Sequence, residues 1–205
     1  MSIVTNWGYT LVDDDSLFDM MDYAEYCTYS DRSDSAERVE AEISAACASI
    51  RNYVGWHLYP SAACRFETIA SDRRIIWNGP DMIIQLPARY VTGISMLTID
   101  GVEQDNFHVD PSGLVHVFNA TRCRRYESVV VDYMAGLTDE MMAPIKELIA
   151  HRVTHAMAVP AGVTSEVSGG VSVTYNATWI NNARATAPAG DNKELLIPYK
   201  VQGVF

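Results

Sequence analysis

A chain of 205 residues carrying 15 lysines and arginines against 26 aspartates and glutamates, a net charge of -11, fits one domain of ordinary size or one domain plus an appendage and can bury roughly 70% of its unfolded surface. The acidity is concentrated: residues 1–50 hold eleven acidic side chains and only Arg32 and Arg38 as basic ones, which argues against a general nucleic-acid binder whose affinity comes from neutralising phosphates. No run of about 18 apolar residues exists, the start Met1-Ser2-Ile3-Val4 lacks a signal peptide's basic and apolar blocks, and Cys27, Cys47, Cys64 and Cys123 are too scattered for a zinc knuckle or disulfide framework. The expectation is a soluble protein made in a cytoplasm, with reduced cysteines used for packing.

Residues 1–33 read as an acidic amino-terminal extension, with Asp15 or Ser16 capping a short helix through Leu17, Phe18, Met21 and Ala24. The next helix, 34–54, is clearer: Asp34 and Glu37 make a capping pattern, and Val39, Ile43, Ala46, Cys47, Ile50 and Val54 recur at helical spacing up to Gly55. The aromatic turn Trp56-His57-Leu58-Tyr59-Pro60 follows. The period then changes: short β-branched or aromatic segments at 64–69, 74–77, 82–86, 93–99, 107–109, 114–118 and 128–133 are separated by turn residues. Asp100-Gly101 suits a two-residue hairpin, since both positions tolerate positive φ. This makes an antiparallel β subdomain over 64–133. Pro144 opens a helix over 143–159 with Ile145, Leu148, Ile149, Val153, Ala156 and Met157 on its apolar face, closed by Pro160.

The fold class expected is therefore α+β: a small helical bundle, 34–160, with an inserted antiparallel β subdomain, then a hinge, strand and extended carboxy-terminal arm over 161–205. Gly169-Gly170 is the hinge, and Val171, Val173 and Tyr175 alternate as in a strand. The arm is polar and small at first and ends apolar, in Leu195-Leu196-Ile197-Pro198-Tyr199 and Val201 to Phe205. Its apolar side chains are too few to offset the entropy of ordering about thirty residues at about 1–2 kcal/mol each, so the arm is expected to order in an assembly.

Chemistry has few footholds. His151 and His155 have the spacing of a zinc pair, but Arg152 stands where a metalloprotease helix has its glutamate. His108, Asp110 and His116 can share one face of a hairpin as metal ligands, against the alternative that they merely solubilise its end. A metal-dependent hydrolase built on those three is kept as a competing reading. No nucleophile elbow or phosphate loop is present, so catalytic residues, cofactors and a bound metal are not expected. Arg122, Arg124 and Arg125, beside Tyr126, suit contact with DNA phosphates or an acidic neighbouring subunit, against the alternative of a solvated loop.

Several local patterns agree with one family. Tyr53-Val54-Gly55-Trp56-His57-Leu58-Tyr59-Pro60-Ser61, Leu86-Pro87-Ala88-Arg89 followed by the strand into Asp100-Gly101, Val129-Val130-Val131-Asp132-Tyr133 with Gly136, the helix after Pro144, and above all Gly162 to Tyr175 together resemble the head-to-tail connector, or adaptor, proteins of long-tailed double-stranded DNA phages. The resemblance covers roughly residues 34–176. It implies a structural virion protein that closes into a ring, dodecameric in the family pattern, under the portal vertex, with the carboxy-terminal arm on the portal protein and the other face receiving a neck or tail component. The implied partners are thus the portal protein, a neck or tail completion protein and further copies of the chain. Double-stranded DNA is expected to pass without specific binding, through a channel lined by acidic residues that reduce phosphate adhesion. The location implied is the virion neck, assembled in the host bacterial cytoplasm, with no membrane. Carried onto this chain, the portal-contact positions are Val171, Val173, Tyr175, Trp179, Leu195, Leu196, Ile197, Tyr199 and Phe205. A tail-completion or neck protein of the same virion is the alternative within the class. The long acidic start and the long end after Tyr175 depart from the family pattern.

Overall fold

The computed structural model of the chain describes residues 3–4, 6–12, 19–30, 35–120, 128–158, 165–168, 171–174 and 193–201. It combines helices with antiparallel sheets, and the chain divides into two compact units: Met1–Phe18, Gly55–Thr138 and Tyr199–Phe205 form one, Asp19–Val54 and Asp139–Pro198 the other.

The first unit is built on strands. β1 (Ile3–Val4), β2 (Thr10–Val12), β3 (Ala62–Ile69), β10 (Ser128–Ala135), β6 (Val91–Ile99) and β7 (Val102–Glu103) lie side by side, in that order, in a six-stranded sheet. β4 (Ile75–Asn78), β5 (Asp81–Gln85), β9 (Leu114–Val117) and β8 (Phe107–Val109) make a second sheet of four. Every described pairing is antiparallel. Side chains alternate between the two faces of a strand. Accordingly Cys64, Phe66, Leu97, Val129, Val131 and Tyr133 of one sheet and Met82, Ile84, Val115 and Val117 of the other are buried, while the residues between them reach the surface. On the outer face Arg65 and Asp132 sit opposite each other and form a two-pronged ion pair, both contacts 2.7 Å. The turn expected at Asp100-Gly101 joins β6 to β7 with φ of 51° and 77°.

The second unit is helical. α2 (Ala36–Val54) buries Val39, Ile43, Ala46, Cys47, Ile50 and Val54, the stripe expected from its spacing. It packs against α3 (Ala143–Ala158), whose Ile145, Leu148, Ile149 and Val153 are buried, and α1 (Tyr23–Ser30) packs against both, with Tyr26 fully buried. Polar ties cross this apolar layer, among them Arg152 Nη1 donating to Ser49 Oγ at 2.9 Å, the Lys146–Glu25 pair and the Tyr26–Thr154 hydroxyl contact at 3.4 Å. β11 (Ser165–Ser168) and β12 (Val171–Thr174) form a separate antiparallel pair, and α4 (Lys193–Leu196) runs into a single 3-10 turn, Ile197–Tyr199.

Two features differ from expectation. The amino-terminal extension contributes strand: Thr10, Leu11 and Val12 pair with Arg65, Cys64 and Ala63. Among the described residues the first helix starts at Tyr23, where Asp22 and Glu25 form a reciprocal cap, and residues 19–22 before it are not helical; the expected caps Asp15 and Ser16 lie outside the described residues. Asp22 Oδ1 accepts the Glu25 N–H at 2.7 Å and Glu25 Oε2 accepts the Asp22 N–H at 3.2 Å. The 171–174 strand pairs with the 165–168 strand, Ser168 opposite Val171 and Glu166 opposite Val173.

Candidate interaction surface

A cluster of aromatic and polar contacts lies in the first unit, where the chain's late residues Tyr199 and Lys200 meet Trp56, Arg89 and Tyr90. Trp56 is fully buried, which leaves its indole N–H in need of an acceptor. The Tyr199 carbonyl supplies it at 2.7 Å. The Tyr90 ring lies between, stacked on Trp56 (centroids 6.3 Å apart, planes at 12°) and on Tyr199 (5.8 Å, 28°). Arg89 Nη1 donates to the Lys200 carbonyl at 3.2 Å. Burial, then the neighbouring Tyr90, pushes the Tyr199 hydroxyl above its usual pKa.

Local backbone holds this seat. Tyr90 has φ of 54°, a left-handed conformation that costs a bulky residue about 1 kcal/mol or more and persists only where its surroundings enforce it. Here the Asp110–Gly113 turn does so. The Leu86 N–H donates to the Gly113 carbonyl at 2.8 Å, Val91 N–H to the Pro111 carbonyl at 3.3 Å, and a Cβ on Gly113 would fall 2.2 Å from the Ala88 carbonyl oxygen. On the other side of Trp56, His57 is fully buried and satisfied. Its Nε2 faces the Ala135 carbonyl at 3.0 Å, which only accepts, so Nε2 carries the proton. Nδ1 then accepts from the Tyr9 hydroxyl at 2.6 Å, and the same oxygen accepts the His57 N–H at 3.0 Å.

The expected partner-binding positions fall unevenly on this arrangement. Leu196 is buried, Tyr199 is in the seat, and Leu195 and Ile197 are 52% and 57% exposed. Tyr199 and Lys200 are thus seated on residues of their own chain. Val171 and Val173 lie in β12. Tyr175, Trp179, Phe205, the hinge Gly169 and Gly170, and Arg122, Arg124 and Arg125 lie outside the described residues.

The metal candidates do not converge. His108 and His116 are cross-strand neighbours, but Asp110 braces its own turn: its Oδ1 accepts the Ser112 N–H at 2.7 Å, and these Ser112 contacts hold its carboxyl below the usual pKa. Among the described residues no three His, Cys, Asp or Glu side chains are grouped to hold a metal ion. His151 and His155 meet edge-on at 4.9 Å on α3, with burial and then His151 lowering the His155 pKa, while Arg152 turns to Ser49. Burial pushes the thiols of Cys47 and Cys64 up to about 11 and about 12, as befits packing residues.

No helix among the described residues is long and apolar enough to cross a membrane. What the described residues define is a mixed α and β protein of helices and antiparallel sheets. The family model of the head completion protein matches residues 16–182, and the chain belongs to that family. It is thus a structural phage protein of the virion head, placed among other head and neck proteins. A search of curated proteins finds no match to the chain.

Proposed function

We propose that the chain forms a connector ring at the portal vertex, joining the phage head to the neck or tail and forming part of the DNA channel. The observation that carries this reading is the head completion family match over most of the chain, which agrees in extent with the connector-like motif order between residues 34 and 176. The uneven charge adds to it: a strongly acidic amino-terminal quarter is suited to a channel past which DNA slides. Heterologous contacts that close into a ring are the simplest use of one small body with a separate terminal element.

In this reading the carboxy-terminal end is the portal contact. Leu195 and Ile197 are large apolar side chains standing in solvent on either side of the buried Leu196. Buried apolar anchors dominate most interfaces, so Leu195→Asp with Ile197→Asp in the full chain is expected to weaken cosedimentation with purified portal by about tenfold or more. Because both residues are exposed, the variant's thermal unfolding should match the parent's. Equal cosedimentation of parent and variant would remove this end from the portal contact.

A further inference from the structure

We infer that His151 and His155 of α3 form a two-imidazole site for a borderline divalent cation, zinc in the first place. The inference is independent of the ring reading. Whereas His108, Asp110 and His116 do not converge on one point, the two α3 side chains stand one helical turn apart on the same face, as residues at i and i+4 do. Their ring centroids are 4.9 Å apart. A zinc ion bound about 2.0–2.1 Å from a nitrogen of each ring lies about 3.2 Å from each ring centre, so two rings sharing it at about 90–109° have centroids about 4.5–5.2 Å apart. The observed separation falls inside that span. The ring planes meet at 64°, and rotation about the broad terminal side-chain torsion aims a nitrogen of each at one point.

The surroundings suit a cation. His151 is exposed and His155 half-buried, so the pair opens to solvent and water can fill the coordination positions that two protein ligands leave. His155 lies in the last turn of α3, where unsatisfied main-chain carbonyls carry partial negative charge. Arg152, the cation nearest in sequence, turns to α2 instead, its Nη1 donating to Ser49 Oγ at 2.9 Å. The glutamate that a metalloprotease helix carries at that position is a general base, so its absence bears on hydrolysis and not on coordination. Among the described residues no third His, Cys, Asp or Glu completes a three-ligand group, so two nitrogens set the preference. Imidazole suits zinc, nickel and copper, whereas magnesium and calcium take oxygen ligands.

Titration calorimetry at neutral pH with zinc chloride alone tests this, on a full-length parent carrying Cys27→Ser and Cys123→Ser so that those thiols do not compete. The expected result is one zinc per chain, bound at least about tenfold more weakly in His151→Gln and in His155→Gln, since loss of groups behind a ligand already costs about 10–100-fold. A metal shared by imidazoles one turn apart fits only the helical chain, so zinc should also raise the parent's thermal midpoint and leave that of His151→Gln unmoved. His151 is exposed, so the metal-free melt of His151→Gln should match the parent's and keeps the test readable even where the half-buried His155 does not tolerate change. No zinc uptake, uptake indifferent to both α3 substitutions, or equal uptake of magnesium would overturn the site. Uptake lost instead in His108→Gln with His116→Gln would place the metal on the other unit and overturn it as well.

Discussion

At the scale of single residues, the polar atoms inside the first unit behave as fixed joints. The Tyr9 hydroxyl serves both Nδ1 and the main-chain N–H of His57, so Tyr9→Phe leaves two buried polar groups without it. Leaving a buried group unsatisfied costs about 1–3 kcal/mol, and a loss of at least about 2 kcal/mol in urea unfolding is the expected result. Gly113 is a joint of another kind. With φ of 91° and the Ala88 carbonyl where a Cβ would be, Gly113→Ala must shift backbone, and a loss of more than about 1 kcal/mol is expected by the same measurement. The buried thiols supply a pH dependence. Cys47 and Cys64 have pKa values raised from 9.0 to about 11 and about 12, so above pH 9 the unfolded chain releases protons that the folded chain retains. Stability therefore falls as pH rises through that window, and the slope of unfolding free energy against pH between 9 and 11 should flatten in Cys47→Ala with Cys64→Ala.

Among the elements, what could be read from the sequence was what is local. The seven strand segments between residues 64 and 133 carry β-branched alternation between turn residues, and each corresponds to an observed strand within a few residues. The α2 stripe is equally local, at spacings of three and four residues. The misreadings have physical reasons. Thr10–Val12 is too short to announce a strand, and its pairing is decided by Ala63, Cys64 and Arg65 more than fifty residues away. For α1, the run of aspartates at 13–15 drew the start early, although the Asp22–Glu25 pair carries the same capping signature. Asp22→Ala removes that cap and should cost about 1 kcal/mol, read as a lower thermal midpoint. The seat of Trp56, Arg89, Tyr90 and Tyr199 was half legible: Tyr199 stood out as an apolar terminal residue, but nothing near it in sequence says that it meets Trp56, 143 positions away. His108, Asp110 and His116 show the converse, a spacing that suggests ligands where Asp110 is occupied in bracing a turn.

For the whole molecule, the described residues form one unit built on antiparallel sheets and another built mainly on helices. The family match assigns the chain to head completion, and the proposed ring adds that the acidic amino-terminal quarter faces passing DNA and that the exposed Leu195 and Ile197 meet another virion protein. Electron cryo-microscopy of the full chain mixed with purified portal tests that claim most directly. The expected result is a closed ring of this chain coaxial with the portal, its carboxy-terminal end at the portal face and an open central channel. Portal particles with no added density, or with the chain bound off the axis and no ring, would contradict it.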